Sequence, residues 1–221
     1  MAPPAAARRP NVLVIMTDQQ RGDCLGIDGH PVLMTPNMDA IAGAGTRFSR
    51  AYSTCPVCIP ARRSLMTGLF PSSHGVVGFN ETDEWDPSQS LVGRLRDAGY
   101  QTALVGRSMH LYPPRKRYGF EQMVTAQSHW RDWLERRLPA ETFQRGGGHY
   151  AAGPMHNDWT ARPWPWDEGL HQTNWTVAEA LRFLKDRDTS APYFLVVSFL
   201  APHPPLLPPA FYMERYLRLA A

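Results

Sequence analysis

Polar side chains that can bind ions or move protons follow three apolar segments of the sequence. Asp18 and Gln19 come after the first segment, and Arg107 and His110 follow the second. His203 follows the third. Carboxylate and amide oxygens are ligands for calcium, magnesium or manganese, whereas guanidinium and imidazole groups bind oxyanions and transfer protons. An aspartate in this position also commonly forms a turn. If the segments are neighbouring strands, these residues predict a site for a divalent cation and a tetrahedral oxyanion.

The cysteines permit a different kind of site. Cys55 and Cys58 form a C-x-x-C pair, a pattern found in redox proteins and as half of a zinc site. Zinc needs further soft ligands, and Cys24 is the only other cysteine in the sequence. A redox pair stays open, because such pairs lie at the start of a helix near a strand.

A longer pattern begins at Cys58. Cys58-x-Pro60-x-Arg62 is followed by Thr67-Gly68, with Ala61 before the arginine. This segment resembles the sulfatase signature C-x-P-S/A-R-x-x-x-T-G at every defined position. In that family the cysteine is oxidised after translation to Cα-formylglycine, whose hydrate is the nucleophile. The resemblance implies a metal-dependent sulfuric ester hydrolase of the alkaline-phosphatase-like superfamily, with a formylglycine-generating enzyme as its partner.

The resemblance extends beyond the signature, from about Pro10 to Pro209. Four other segments are similar to the family's opening strand and metal-binding turn, its first helix, its G-Y-x-T-x-x-x-G-K-x-H segment and its P-H-x-P turn. In that order they are Pro10–Leu25, Thr35–Ala42, the stretch from Gly99 to His110, and Pro202–Pro205.

The resemblance implies a role for each candidate residue. Asp18, the side-chain oxygen of Gln19 and the group at position 58 would bind the cation, with calcium preferred to magnesium or manganese. The cation would lower the pKa of the aldehyde hydrate derived from Cys58, which would attack sulfur and form a covalent sulfo-enzyme. Arg62, one helical turn after position 58, would hold the hydrated nucleophile or the anion.

Two histidines would complete the reaction. His110 would deprotonate the second hydroxyl of the hydrate and so expel sulfate, while His203 would contact the sulfate or protonate the leaving alcohol. Arg107 stands where the family usually has lysine, and it can bind sulfate bidentately but cannot donate a proton at neutral pH. One extra residue separates Gly106 from His110 relative to the family pattern, which predicts a different turn.

Three apolar runs must position these side chains. Asn11–Met16 and Tyr193–Leu200 have the continuous apolar composition of strands buried on both faces, and Gln101–Val105 is predicted to be a short strand. They alternate with segments of helical pattern at 38–44, 61–69, 91–98, 177–185 and 211–219. The sequence therefore predicts an α/β fold with a mostly parallel central sheet flanked by helices, and a site at the carboxyl edge of that sheet.

The extent of the chain bears on its activity. Residues 130–175 are rich in tryptophan, glycine and proline, and predict a loop-rich insertion in one catalytic domain that occupies 1–221. Family members are longer and supply a further Asp-Asn or Asp-His pair from a later segment. We therefore expect the N-terminal part of a sulfatase-like domain, truncated at its C-terminus and weakly active or inactive alone. A phosphonate monoester or phosphodiester hydrolase and an inactive anion-binding fragment remain open as alternatives.

Composition excludes other classes of protein. Hydrophobic residues make up 43% of the chain, which supports a packed core rather than disorder. A net charge of +3 without a basic stripe argues against nucleic acid as a partner. No apolar run approaches the ~20 residues of a membrane span, and the start of the chain has no secretory pattern. We expect a cytoplasmic enzyme that acts on a small-molecule or carbohydrate sulfate ester.

Overall fold

The computed structural model describes residues 9–85, 90–114, 116–144, 146–154 and 157–219. Most of the N-terminal segment used to predict localisation lies outside these ranges. The chain forms two compact units. The first comprises Met1–Met16, Thr54–Ala126 and Thr176–Ser198, and the second comprises Thr17–Ser53, Gln127–Trp175 and Phe199–Ala221.

The helices found in the described residues largely match the predicted helical segments. In chain order they are α1 (Pro36–Ala44), α2 (Cys58–Thr67), α3 (Pro71–His74), α4 (Leu91–Asp97), α5 (Arg131–Glu135), α6 (Gln172–Asp186) and α7 (Ala210–Leu219). Short 3-10 turns lie at Gly26–Asp28, Ala140–Phe143, Gly148–Ala152 and Glu168–Leu170, and a π turn at Ala126–Trp130. In the described part of the chain, no helix combines the length and apolar character needed to cross a membrane.

The first unit is built around a sheet of four parallel strands in the order β1-β4-β2-β3. These strands are β1 (Val12–Met16), β2 (Gln101–Gly106), β3 (Gln122–Thr125) and β4 (Tyr193–Ser198). Because all four run in the same direction, their carboxyl ends lie at one edge. The predicted parallel sheet flanked by helices is confirmed. The sequence analysis missed β3, which is short and lacks a continuous apolar run.

The core of the first unit lies on the two central strands. Leu104 of β2 and Leu195 of β4 have no exposed surface. Val92 of α4 is equally buried, and Tyr118 and Phe120 after β2 are 2% exposed. Continuous apolar strands therefore occupy the centre of the sheet, where both faces are covered.

β1 differs from its prediction. Leu13 and Ile15 are 46% and 55% exposed, whereas Val12, Val14 and Met16 pack against the core. The prediction that Asn11–Met16 is buried on both faces is wrong. β1 is an edge strand with one face toward the core, and alternate side chains of a strand point to opposite faces.

In the second unit, aromatic rings organise the predicted insertion. The ring of Trp130 lies 4.6 Å from that of His149 and 6.4 Å from that of Trp164, measured between centroids. Trp130 Nε1 donates a hydrogen bond to the carbonyl of Leu170 at 3.0 Å, and Trp164 Nε1 donates to that of Asp167 at 3.1 Å. Buried indole N–H groups are thus satisfied by the backbone, which fixes this segment without long regular elements.

Candidate active site

Helix α2 begins at Cys58, the first residue of the signature. The N-cap residue, Val57, is extended, with φ −121° and ψ 135°, and its side chain makes no capping hydrogen bond. Pro60 fits the first turn because it has no N–H to leave unbonded. The N–H groups of the first turn give this end of the helix a partial positive charge, which favours an anion beside position 58. In the structure Cys55 and Cys58 are not joined by a disulfide.

The last residues of the signature end α2. The hydroxyl of Thr67 donates to the carbonyl of Arg63 at 2.8 Å and accepts from the N–H of Leu69 at 3.2 Å. Gly68 has φ +72° and donates its N–H to the carbonyl of Ser64 at 2.8 Å. A residue with a Cβ is strained at this φ, so glycine is suited to terminating the helix here. The Thr-Gly pair therefore sets the length of the helix that carries Cys58.

Arg62 joins α2 to the segment after β2. Its side chain lies one turn after Cys58 and is 5% exposed. Its Nη1 donates to Sδ of Met109 at 3.1 Å, and Met109 is itself 3% exposed. The sequence analysis missed Met109, because an apolar residue between two polar ones carries no chemical pattern.

A second contact holds α2 from its other side. The hydroxyl of Ser64 lies 3.1 Å from Nε2 of His74, while Nδ1 of His74 accepts the N–H of Val76 at 3.2 Å. Nε2 therefore carries the proton and donates to Ser64. Burial lowers the pKa of His74, with a smaller effect from the neighbouring Arg63. In this tautomer His74 cannot activate Ser64 as a nucleophile, so the pair serves to fix α2.

Gly106 ends β2 against its neighbouring strand. Its φ is +99°, and a Cβ on it would lie 2.1 Å from the carbonyl oxygen of Ser198 and 2.8 Å from Cγ2 of Thr176. The next residue, Arg107, donates its N–H to the carbonyl of Ser198 at 2.6 Å. Glycine is thus required at the end of β2, and the hydrogen bond to Ser198 of β4 fixes the position of the Arg107 backbone.

Arg107 and His110 lie together beyond β2. Arg107 is 7% exposed, and its Nη2 lies 3.4 Å from Nε2 of His110. His110 has φ +52°, which is consistent with the unusual turn predicted from the extra residue before it. Nδ1 of His110 lies 3.7 Å from Oε1 of Glu81. The ring of Phe79 packs edge-on against the imidazole with centroids 5.9 Å apart.

These contacts select one form of His110. A guanidinium can only donate, so Nε2 of His110 must accept from Arg107 and carry a lone pair. The proton of the neutral ring is then on Nδ1, on the side of Glu81. A carboxylate beside Nδ1–H favours this tautomer and its orientation. Glu81 and Phe79 come from an irregular loop, and no sequence pattern pointed to them.

The remaining candidates belong to the second unit. Asp18 follows the last residue of β1 by two positions and is 7% exposed. Gln19 has an exposed side chain and a left-handed backbone, with φ +55°. Both lie in a turn in which the hydroxyl of Thr17 donates to Oε1 of Gln20 at 2.8 Å.

His203 lies in the turn after β4. Its N–H donates to the carbonyl of Leu200 at 3.0 Å, and its Nδ1 donates to the carbonyl of Pro204 at 2.6 Å. A neutral ring held in this way carries a lone pair on Nε2. His203 can therefore accept a proton or bind a cation through Nε2, and must be doubly protonated to donate a proton there.

Within the first unit, Arg62 contacts the segment 107–110, in which Arg107 and His110 lie next to each other. The chain continues from the carboxyl end of β1 to Asp18 and Gln19, and from the carboxyl end of β4 to His203. The order of the parallel strands makes β4 the neighbour of both β1 and β2, which satisfies the adjacency that the sequence analysis required of the three segments.

The model of the family described as Sulfatase matches residues 10–218. The chain belongs to the sulfatase family.

Relatives of this sulfatase chain include several kinds of hydrolase. It is 38% identical to an arylsulfatase of Clostridium perfringens, over 94% of this chain and 46% of that protein. It is 28% identical to an N-acetylglucosamine-6-O-sulfatase of Bacteroides thetaiotaomicron, over 89% of this chain and 31% of that protein. The phosphonate monoester hydrolase of Agrobacterium radiobacter has a similar structure, with a TM-score of 0.74 and 31% identity, over 94% of this chain and 44% of that one. The chain thus spans less than half the length of these relatives.

Proposed function

We propose that this chain supplies the nucleophile-bearing part of an enzyme that hydrolyses sulfate monoesters, with formylglycine formed from Cys58. One observation carries the proposal. The signature residue Cys58 starts α2, and Arg62, one turn later, contacts the segment that bears Arg107 and His110. Two buried guanidinium groups, and a neutral imidazole that carries its lone pair on Nε2, are suited to binding a tetrahedral anion and accepting a proton.

The other half of the proposed site follows β1 and β4. Because these strands are parallel neighbours, Asp18 and His203 follow the same edge of the sheet as Arg107. The buried Asp18 carboxylate and the amide oxygen of Gln19 are hard ligands, which fit a cation such as calcium. With the oxygen atoms of a formylglycine hydrate at position 58, they would form part of its coordination shell. When bound, the cation would neutralise sulfate charge and favour ionisation of the hydrate.

Each remaining residue has one task in the proposed reaction. Arg62 and Arg107 bind sulfate oxygens and keep their charge throughout. His110 accepts a proton at Nε2, and the Glu81 carboxylate beside Nδ1 stabilises the imidazolium that results. His203, with Nδ1 committed to the Pro204 carbonyl, acts through Nε2. A protonated His203 would donate that proton to the oxygen of the leaving alcohol.

A second candidate is phosphonate monoester hydrolysis. It is favoured by the similarity to the phosphonate monoester hydrolase structure, at 31% identity and a TM-score of 0.74. Both reactions present a tetrahedral anion to the same cationic groups, and a shared fold does not decide between them.

The test uses the complete gene product, expressed in a host that contains a formylglycine-generating enzyme. Mass spectrometry and rate assays are carried out on the same protein. The peptide that contains position 58 should be about 18 Da lighter than the cysteine form. Turnover of an aryl sulfate should exceed that of the matching aryl phosphonate ester. An unmodified thiol with no turnover contradicts the proposal, and a preference for the phosphonate supports the second candidate.

A further inference from the structure

A large cavity of the second unit shares one residue with the proposed site. It has a volume of about 600 Å³, and His203 forms part of its wall. Most of the wall is apolar and comes from the segment 200–209 and Tyr212 of α7. The rest of the wall is formed by Glu168 and residues 171–174, together with His149 and Ala161. Cavities of this size and composition bind small molecules.

The charge of this cavity does not suit an anionic ligand. Among its described lining residues there is no lysine or arginine, and Glu168 is the only acidic residue. Burial lowers the pKa of His149 to about 3, with a smaller effect from His171. Burial also lowers the pKa of His171. These two imidazoles are therefore neutral at physiological pH and provide no positive charge.

Two polar side chains of the wall, those of His171 and Asn174, are already used within the protein. Nδ1 of His171 accepts the N–H of Thr173 at 3.1 Å, so its Nε2 carries the proton and donates to the carbonyl of Leu207 at 3.0 Å. The side-chain amide of Asn174 donates to the carbonyl of Glu168 at 2.7 Å. A sugar needs partners for several hydroxyl groups, and these two side chains offer it fewer because they already bond within the protein.

We propose that this cavity receives the alcohol part of the ester and that this alcohol is uncharged and predominantly apolar, as phenols are. The inference rests on the proposed function, because it takes His203 as the residue that faces the ester oxygen. It favours a phenolic substrate over an amino sugar, and over any glycan that carries further sulfate or carboxylate groups. Such glycans require lysine or arginine partners.

The test measures binding of the free alcohols to the 221-residue chain by isothermal titration calorimetry at pH 7. 2-Naphthol should bind with a Kd below about 1 mM, while N-acetylglucosamine should give no binding up to ~10 mM. 6-Hydroxy-2-naphthoate has the same rings and one added carboxylate. It should bind at least ~10-fold more weakly than 2-naphthol, and Glu168→Gln should reduce that difference.

Two matched variants locate the binding. Ala161 lines the cavity and is exposed, so Ala161→Trp should fill the cavity without disturbing the core, and should weaken 2-naphthol binding at least ~10-fold. Ala51→Trp, at an exposed position of the same unit that does not line the cavity, should leave binding unchanged. Circular dichroism should show that both variants are folded.

Several outcomes overturn the inference. They are equal 2-naphthol binding by Ala161→Trp, tighter binding of N-acetylglucosamine than of 2-naphthol, or no difference between the two naphthols. Binding requires neither formylglycine nor a cation, so it separates this inference from the proposed function. Binding of 2-naphthol without sulfatase turnover by the complete gene product contradicts the function alone, whereas turnover by the complete gene product without binding of 2-naphthol contradicts the inference alone.

Discussion

Two regions of this chain bury basic side chains with opposite consequences for charge. Around α2 and the segment after β2, Arg62, Arg63 and Arg107 are 5%, 6% and 7% exposed. Burial lowers the pKa of Arg63, but the pKa of arginine begins so far above neutrality that the group stays charged. In the second unit, burial leaves His149 and His171 neutral.

The difference shows that counting basic residues does not locate positive charge. The guanidinium group of Arg63 lies 4.5 Å from the ring of Trp85 and donates to the carbonyl of Asp83 at 3.2 Å, and the charge of Asp83 also favours its charged form. The ring of His149 packs against Trp130, where a neutral imidazole costs less than a charged one. One region is therefore suited to an anion, and the other to an uncharged group.

The largest expected effect separates the two regions. Cys58→Ala removes the proposed nucleophile, and we expect turnover of an aryl sulfate by the complete gene product to fall at least ~10⁴-fold. Binding of 2-naphthol to the cavity should remain within about twofold of the unchanged chain. Rate assays and calorimetry on the same preparations test this, and substantial remaining turnover would show that position 58 is not the nucleophile.

The next effect concerns the framework of the charged region. Gly106→Ala places a methyl group against the carbonyl of Ser198 at a φ of +99°, so β2 and β4 must move apart. We expect the free energy of unfolding to fall by about 3 kcal/mol or more, measured by urea denaturation. Gly43→Ala is the control, since a Cβ at that position meets nothing within 4 Å. A loss below about 1 kcal/mol at Gly106 would contradict the close approach of the strands.

The third effect tests the neutral region. The pKa of His149 is lowered to about 3 in the folded chain, against ~6.5 when unfolded. Between these values the unfolded chain binds the additional proton. The free energy of unfolding should therefore be unaffected by titration of His149 above pH 6.5. It should decrease as the pH falls toward 3, by up to about 1.4 kcal/mol per pH unit.

A pair of variants isolates the contribution of His149. His149→Phe keeps an aromatic ring and cannot titrate, so its free energy of unfolding should depend less on pH below 6.5. His129→Phe, at an exposed position of the same unit, should leave the dependence unchanged. Urea midpoints at several pH values provide the measurement. An unchanged slope for His149→Phe would mean that a charged imidazole is tolerated there.

The smallest effect concerns the negative charge beside His110. Glu81→Gln keeps the shape of the side chain near Nδ1 but removes the charge that stabilises the imidazolium. We expect kcat to fall less than ~10-fold, and the pKa in the pH–rate profile that reports deprotonation of the base to fall. A purely structural role would lower the rate without moving the profile. Glu84→Gln, on the same loop and paired with Lys116, is the control and should not move it.

The sequence predicted the elements that depend on local pattern. A continuous apolar run identified β4, a short strand pattern identified β2, and the helix predicted at 61–69 ends within two residues of the observed end of α2. β3 was missed because Gln122–Thr125 is too short to show a period. For the site, the sequence named Arg62, Arg107 and His110, but did not indicate Met109 and Glu81, which contact them.

Local chemistry and long-range packing therefore determined different properties of this protein. The sequence by itself determined the sulfatase signature, the helix that follows position 58 and the polar residues that follow each predicted strand, since these depend on neighbours along the chain. Only the tertiary structure decided that one face of β1 is exposed, that His110 carries its proton on Nδ1 and that His149 is neutral. Each of these depends on contacts or burial contributed by residues distant in sequence, and no local pattern encodes them.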